Sequence, residues 1–270
     1  MTNPYSLGRA FYTPKARSTM EKPPSCAVKS AAVLVIGDEI LSGRTQDTNT
    51  GTIARFLGLK GIDLKEARTV GDAQDEIVAA LNALRAKYDF VFTTGGIGPT
   101  HDDITADAVA AAFGVGIGYH PEAYALLEAR YGKQDFNAMR QRMARIPDGA
   151  MLIENRISVA PGFHIGNVFV LAGVPAIARA MLEALAPLLP EGPRVHAAAI
   201  TANIAEGRVA EGLAAIQKAN PETLIGSYPF HTEDGGTGVQ LVVRGRDGAA
   251  VKEAAVAIEA HLRDLGAAAQ

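Results

Sequence analysis

The amino-acid sequence predicts an α/β protein in which a largely parallel sheet is covered by helices on both faces, followed by a small α+β domain. Three observations predict this class. Short apolar runs alternate with segments of helical periodicity, as expected when helices cross over between parallel strands. The order of elements changes after Pro190-Glu191-Gly192-Pro193. The chain has 270 residues, 48% of them hydrophobic, which suits one large core and one small one.

The predicted elements of the large domain begin with Ala31–Ile36, an apolar run that stops at Gly37 and is typical of a buried strand. Further on, Ile77, Leu81 and Leu84 recur at helical spacing. The remaining predicted elements, in order, are a helix near 53–57 that stops at Gly61, a strand near 62–70, a strand over 89–94, a helix that begins at Asp102 or Asp103 and stops near Gly114, two helices punctuated by Pro121 and Pro147, a strand over 168–171 and a helix over 175–189.

The small domain is predicted over residues 194–266, after a large domain over 30–190. Its expected order is β-α-β-β-α, with strands over 195–204, 224–228 and 239–243 and helices over 207–219 and 249–265. Residues 1–29 are predicted to form a loosely ordered tail, because they hold no apolar region of secretory type. Cys26 is the single cysteine, which excludes an intramolecular disulfide.

The charge and hydrophobicity of the chain argue against nucleic-acid and membrane partners. The chain has 26 basic and 29 acidic residues, and its net charge is −3. This composition gives no electrostatic footprint for nucleic acid, so we expect no nucleic-acid partner. No apolar run approaches the ~18 residues of a membrane span, so no membrane partner is expected either. A cytoplasmic location is the simplest prediction.

A glycine-rich loop is the strongest functional signal. Gly95, Gly96 and Gly98 follow a predicted strand and precede a predicted helix, together with Thr94, Pro99 and Thr100. Ligands of open α/β sheets bind at the carboxyl ends of the strands. Glycines there let backbone N–H groups approach a ligand closely, and a helix N-terminus attracts anions. The loop is therefore predicted to bind a phosphorylated small molecule, although a tight turn before a capped helix explains the same pattern.

Two adjacent carboxylates follow the loop. Asp102 and Asp103 exceed the single acid that a helix cap requires, and they would repel a phosphate. A divalent ion such as Mg²⁺, Mn²⁺ or Co²⁺ between carboxylate and phosphate oxygens would remove that conflict. We therefore predict Asp102 and Asp103 as metal-binding residues.

Other polar clusters are predicted at the same edge of the sheet. Each has an ordinary explanation as a cap or a turn: Asn49, for example, could cap its helix. Their recurrence near successive strands favours one composite site. The candidate ligand-binding residues of these clusters are Gly37, Asp38, Glu39, Asn49, Pro161, Gly162, Gly173 and Pro175.

The motifs occur in an order seen in one protein family. They are Gly37-Asp38-Glu39-Ile40-Leu41, Asp47-Thr48-Asn49, Val70-Gly71-Asp72, the segment 94–105 (TGGIGPTHDDIT), Ala160-Pro161-Gly162-Phe163 and Leu171-Ala172-Gly173-Val174-Pro175. Together they resemble the N-terminal domain of competence/damage-inducible protein A (CinA) and, more distantly, the MoaB/Mog domains of molybdenum-cofactor biosynthesis proteins and gephyrin. The resemblance covers roughly residues 30–190, and residues 194–266 look like the small domain that follows in CinA-type proteins.

This resemblance implies a doubly wound, three-layer α/β/α fold with a pocket for a phosphorylated pterin, such as molybdopterin, or a dinucleotide. It also implies that Asp72 and Asp103 match acids near the pterin and metal, that ADP-ribose is hydrolysed with a metal ion, and that the protein is a homo-oligomer. CinA proteins commonly have a further deamidase domain beyond this region, so we expect no nicotinamide-mononucleotide deamidase activity. The family often has Thr where this chain has Asp38, and the extra carboxylate makes direct transfer of the pyrophosphatase activity an open question.

Three functional hypotheses follow. The first is a metal-dependent pyrophosphatase, with Asp72, Asp102 and Asp103 as metal-binding and catalytic residues. Glu39 is a further candidate ligand of the metal ion under this hypothesis. The second is a protein that binds molybdopterin or a related ligand without hydrolysis, as an accessory protein of molybdenum-cofactor metabolism. The third hypothesis is a pure interaction protein with a vestigial glycine loop. The adjacent acids Asp102 and Asp103 speak against the third, because an abandoned site does not need them.

Overall fold

The computed structural model describes residues 27–231 and 236–267, and its larger part is a six-stranded sheet between two layers of helices. Residues 1–26 of the predicted tail, including Cys26, lie outside the described residues. The elements are β1 (Ser30–Ile36), α1 (Asp38–Leu41), α2 (Asn49–Leu59), β2 (Asp63–Val70), α3 (Gln74–Lys87), β3 (Phe90–Thr94), α4 (Thr105–Phe113), β4 (Ile117–Tyr119), α5 (Pro121–Asp135), α6 (Ala138–Gln141), β5 (Arg145–Pro147), β6 (Met151–Ile153), β7 (Gly162–Ile165), β8 (Val168–Leu171), α7 (Pro175–Leu185), β9 (His196–Ala202), α8 (Glu206–Ala219), β10 (Thr223–His231), β11 (Thr237–Gly245) and α9 (Gly248–Asp264).

The strands of the large sheet run in the order β2-β1-β3-β8-β7-β6. The first four are parallel, whereas β7 is antiparallel to both of its neighbours, β8 and β6. The predicted largely parallel sheet is therefore confirmed, since five of its six strands run in one direction and β7 alone is reversed. Because β7 runs backwards, its amino end reaches the same edge as the carboxyl ends of the parallel strands.

Alternate residues of β1 face opposite sides of the sheet, and both sides are buried. Leu34 and Ile36 pack in the core formed with α3, α4 and α5, while Val33 and Val35 pack in the core formed with α2 and α7. A strand that is buried on both faces requires apolar residues at every position, which explains the continuous run that predicted it. This packing confirms the α/β/α layers.

Three local predictions are corrected. The helix expected from Asp102 or Asp103 begins at Thr105, because the Asp103 carboxylate binds residues that precede it. Pro147 ends strand β5, where it pairs with Ile117, and does not punctuate a helix. The helix expected to reach residue 189 ends at Leu185 and continues as a short 3-10 helix over Ala186–Leu188.

The carboxyl-terminal part has a three-stranded antiparallel sheet in the order β10-β11-β9, covered by α8 and α9. This confirms the small α+β architecture. Residues 190–193 lead into it, and Gly192 donates its N–H to the Lys60 carbonyl at 2.7 Å. The Arg246 guanidinium, just after β11, donates to the carbonyl of Pro193 and to the carboxylate of Asp63, at the start of β2. In the described part of the chain, no helix is long and apolar enough to cross a membrane.

Candidate functional site

The ends of the four neighbouring parallel strands meet at the carboxyl edge of the large sheet. Gly37, after β1, donates its N–H to Val70 at the end of β2 at 3.1 Å, and Gly95, after β3, donates to Leu171 at the end of β8 at 3.2 Å. Gly95 has a φ of 103°, and a Cβ added there would lie 2.1 Å from the Ile36 carbonyl oxygen. Only glycine fits this position, because the obstacle is the backbone of the neighbouring strand.

The buried Thr105 holds the first half of the glycine loop. Its hydroxyl donates to the Gly95 carbonyl at 2.9 Å, and its N–H donates to the Gly96 carbonyl at 3.0 Å. A Cβ at Gly96 would lie 2.2 Å from the Thr105 hydroxyl, so this contact also requires a glycine. The loop is therefore fixed to the first residue of α4.

The carboxylate of Asp103 holds the second half. It accepts the Gly98 N–H at 2.7 Å on Oδ1, and on Oδ2 it accepts the Thr100 N–H at 2.7 Å and the Thr100 hydroxyl at 2.5 Å. Hydrogen bonds to an ionised acceptor are among the stronger ones in proteins. The structure thus gives Asp103 a clear positioning contact within the loop.

Two backbone donors of the loop are left free between these anchors. Within residues 27–231 and 236–267, the N–H groups of Gly96 and Ile97 donate to no acceptor, whereas those of Gly95 and Gly98 are engaged. A cavity adjoins them. Its lining includes Gly96, Ile97, Gly98, Arg142, Pro161 and Phe163. Consecutive free N–H groups beside a cavity form an anion-binding arrangement.

A group of acids lies next to the loop. Asp38 donates its N–H to Asp72 at 3.0 Å, and Asp72 donates its N–H to Asp38 at 3.3 Å, which joins the loops after β1 and β2. Partial burial raises the pKa of Asp72; the hydrogen bond from the Asp38 N–H opposes this, and the negative charges of Asp38, Glu39 and Asp102 raise the pKa further. The site therefore brings four of the predicted acids within electrostatic range of one another.

Asp102 and Asp103 differ in their surroundings. The side chain of Asp102 is 58% exposed, while the Asp103 carboxylate is directed into the loop. The single Thr100 hydroxyl proton is donated to Asp103 at 2.5 Å. His101 itself is 95% exposed and makes no contact with the cavity.

A metal ion fits this site only if phosphate oxygens of a ligand bind it together with the protein's carboxylates. Among the residues that the structure describes, no group of three or more His, Cys, Asp or Glu side chains is placed to hold an ion. Mg²⁺ in phosphate-binding proteins is commonly held by one or two carboxylates together with phosphate oxygens of the ligand. The paired Asp38 and Asp72 fit that second arrangement, with Glu39 and Asp102 close by.

The structure does not support the ordinary explanation of Asn49 as a helix cap. The Asp47 carboxylate accepts the N–H groups of Asn49 and Thr50 at the start of α2, at 2.9 and 3.1 Å. The Asn49 side chain instead donates to the Gly173 carbonyl at 2.7 Å, and its Oδ1 atom is buried with no partner. Asn49 therefore braces the loop after β8 against the start of α2.

The remaining predicted residues lie around the same edge. Thr94 is buried at the end of β3, Pro161 and Gly162 are at the amino end of β7, and Pro175 is the first residue of α7. A Cβ at Gly162 would lie 2.4 Å from the Val170 carbonyl oxygen, and one at Gly173 would lie 3.3 Å from the Gly95 Cα atom. Of these, Pro161 lines the cavity.

The basic side of the cavity was not predicted from the sequence. Arg142 and Arg145 both line it, and Asp107 on α4 accepts two hydrogen bonds from Arg145 at 2.9 and 2.7 Å. The segment 138–146 combines a short helix, a 3-10 turn and a short strand, so it has no periodic pattern. Three arginines within six residues, at 140, 142 and 145, were the available signal.

The fold and the edge site define an α/β protein with a glycine-loop pocket beside a group of acids. A family model described as "Probable molybdopterin binding domain" matches residues 32–191, and one described as "FAD synthase, middle domain" matches residues 194–268. The chain belongs to the molybdopterin-binding-domain family of CinA and MoaB/Mog proteins.

Individual relatives agree with this assignment. Protein Ta0487 of Thermoplasma acidophilum is 32% identical over 212 residues, which are 76% of this chain and 83% of that protein. A CinA-like protein of Syntrophotalea carbinolica is 36% identical over 171 residues, which are 61% of this chain but only 40% of that protein. The crystal structure of the protein CinA "with unknown function" from Thermoplasma acidophilum is 36% identical, with a TM-score of 0.56, over 58% of this chain and 96% of that one.

Proposed function

We propose that this chain binds a phosphorylated pterin or a dinucleotide at the glycine loop and hydrolyses the pyrophosphate of an ADP-ribose-like ligand with the help of a divalent metal ion. The observation that carries the proposal is the pair of free N–H groups at Gly96 and Ile97, which adjoin a cavity at the carboxyl edge of the sheet. Phosphoryl oxygens are strong acceptors, and they satisfy backbone donors of this kind at loops that precede helices.

Some residues of the site bind the phosphoryl group, and others hold the binding groups in position. Gly96 and Ile97 donate to the phosphoryl group, while Thr105 and Asp103 keep those donors in place through the hydrogen bonds described above. A rigid loop loses little conformational entropy when a ligand binds, which favours affinity. Asn49 fixes the neighbouring loop by its bond to Gly173.

The acids next to the loop supply the metal-binding side of the proposal. Asp38 and Asp72 would hold the ion with phosphate oxygens of the ligand, and Glu39 and Asp102 would add negative charge around it. The ion, Mg²⁺, Mn²⁺ or Co²⁺, would supply charge neutralisation on the phosphate oxygens and a nucleophile at neutral pH. The hydrogen bonds of the Asp103 carboxylate assign it to holding the glycine loop, in addition to its predicted role as a ligand of the metal ion.

A second candidate function is binding of molybdopterin or a related ligand without hydrolysis. One observation favours it: among the described residues, no three metal-binding side chains are grouped, so the protein alone offers an incomplete metal site. Under this alternative the same loop retains the ligand, and the acids contact its polar groups. Tight retention without turnover distinguishes this candidate from the hydrolase.

The decisive experiment is incubation of the purified chain with ADP-ribose, FAD or NAD, with and without Mg²⁺, Mn²⁺ or Co²⁺, with released AMP measured by chromatography. We expect metal-dependent AMP release that is lost in Asp72→Asn and kept in Asp75→Asn, a matched change of an exposed acid in the first turn of α3. Equal loss in both variants, with both folded, would contradict the assigned role of Asp72.

The outcomes separate the three hypotheses. Ligand binding in calorimetry without AMP release supports the binding protein. No binding of these ligands or of molybdopterin to the folded chain leaves the interaction protein. We also propose a homo-oligomer, on the resemblance to its family, and light scattering after size exclusion measures its mass directly.

A further inference from the structure

We propose that Arg142 forms an anion-binding subsite of this cavity and binds the same phosphoryl group, or the adjacent one, that the glycine loop receives. The inference rests on the proposed function and deepens it, because it adds a side chain that selects ligands by negative charge. It assigns a role to the basic side of the cavity, opposite in charge to the acids at Asp38 and Asp72.

The position of Arg142 carries the first part of the argument. It begins a short 3-10 helix over Arg142–Ala144 and lines the cavity together with Gly96 and Gly98. Its Nη2 atom donates to the backbone carbonyl of Asp103 at 3.3 Å, which places the guanidinium beside the loop. Its Nη1 atom donates to no acceptor in the described residues and is available to a ligand.

The state of its hydrogen-bonding groups carries the second part. The Nε atom of Arg142 is buried and has no partner, and no carboxylate among the described residues forms an ion pair with this side chain. An unpaired buried donor on a charged group is unfavourable, so such groups in folded proteins are normally satisfied. An anion in the cavity would satisfy it.

The neighbouring arginines show that this condition is specific to Arg142 within its segment. Arg145 is bound by two oxygens of Asp107, and Arg140 donates to the carbonyl of Asp135 at 2.6 Å and lies over the ring of Tyr131. Both guanidinium groups are therefore already used within the chain. Arg142 is the one of the three with a buried guanidinium nitrogen that has no partner in the described residues.

The charges around the cavity agree with an anionic ligand. Asp103 and Asp107 also line it, but the first accepts hydrogen bonds from Gly98 and Thr100, and the second is neutralised by Arg145. A planar guanidinium binds phosphate through two parallel N–H groups, which adds orientation to attraction. The ligand class is therefore a phosphate monoester or a pyrophosphate, whose oxygens are shared between Arg142 and the free loop N–H groups.

The test is titration of inorganic pyrophosphate into the full chain, followed by calorimetry, with chelator present so that no metal ion contributes. We expect Arg142→Gln to weaken binding at least about tenfold, because a hydrogen-bonded charge pair is lost. Arg142→Lys should give an intermediate loss, since it keeps the charge but not the fork. Arg140→Gln, two residues away, is the matched control and should bind as the unsubstituted chain does.

Each outcome decides one claim. If the unsubstituted chain binds pyrophosphate and Arg142→Gln binds it equally well, the role of Arg142 is refuted and the proposed function stands. If the unsubstituted chain does not bind pyrophosphate, the subsite is refuted, and the proposed function is decided separately by AMP release in the presence of metal. Should Arg142→Gln fail to fold, phenylglyoxal labelling of the unsubstituted chain replaces it: pyrophosphate should protect Arg142 and leave the labelling of exposed Arg156 unchanged, and equal labelling of Arg142 with and without pyrophosphate refutes the subsite.

Discussion

Replacing Asp103 with alanine tests whether this acid holds the glycine loop. The change removes three hydrogen bonds, from the Gly98 N–H, the Thr100 N–H and the Thr100 hydroxyl. Hydrogen bonds to charged groups contribute roughly 1.5–3 kcal/mol each when well shielded. Water would replace part of this around a half-buried carboxylate, so we expect a loss of about 2 kcal/mol in the local stability of the loop.

Amide hydrogen exchange measured by NMR reports this loss directly. A decrease of about 2 kcal/mol in the free energy of local opening accelerates exchange about thirtyfold at the Gly98 and Thr100 amides. Asp102→Ala is the matched control, because the neighbouring side chain is 58% exposed and accepts no backbone bond from the loop's glycines. Exchange that is unchanged in Asp103→Ala, or accelerated equally in Asp102→Ala, would refute the assigned role.

Three further predictions concern stability. Gly95→Ala should lower the free energy of unfolding in urea by at least about 3 kcal/mol, because its Cβ would lie 2.1 Å from the Ile36 carbonyl oxygen; an unchanged midpoint would contradict the packing. Asp72→Asn should stabilise the chain by up to about 1 kcal/mol at pH 7 in metal-free buffer. Burial raises the pKa of Asp72, so the native unsubstituted chain loses stability as pH rises through that pKa. The thermal midpoint of the variant should therefore exceed that of the unsubstituted chain at pH 7 and equal it in acid. Asp89→Asn should cost about 1 kcal/mol above pH 4, and the cost should decrease as pH falls through 2. The reason is that bonds from Lys29 and Ser30 lower the pKa of Asp89 to about 2. A cost that is constant across this range in pH-dependent urea unfolding would refute the prediction.

The sequence was sufficient to predict the alternation of the large domain because its strands are buried on both faces. β1 and β3 are continuous apolar runs, and the glycine loop is visible because one of these runs stops abruptly at it. The start of α4 was predicted too early for a physical reason. An acid before a helix resembles an N-cap, but Asp103 accepts from Gly98 and Thr100, which precede it, and a one-dimensional pattern does not show the direction of such bonds.

The antiparallel strand β7 was missed although a signal was present. Gly166-Asn167 separates two apolar runs by two residues, which is a hairpin pattern, and Gly166 has a φ of 55°. Arg142 had no comparable signal. Its importance depends on a cavity and on the absence of a partner carboxylate in the described residues, and both are tertiary properties.

Strand β2 joins two regions that the chain otherwise keeps apart. Its first residue, Asp63, is bound by Arg246 from the carboxyl-terminal sheet, and its last residue, Val70, lies two positions before Asp72. Its eight residues span about 23 Å at roughly 3.3 Å per residue. As an edge strand it is hydrogen-bonded to β1 alone in the sheet order, so it can slide or tilt with less resistance than a central strand. A displacement of the small sheet at Asp63 would therefore move the far end of β2, where Asp72 is hydrogen-bonded to Asp38.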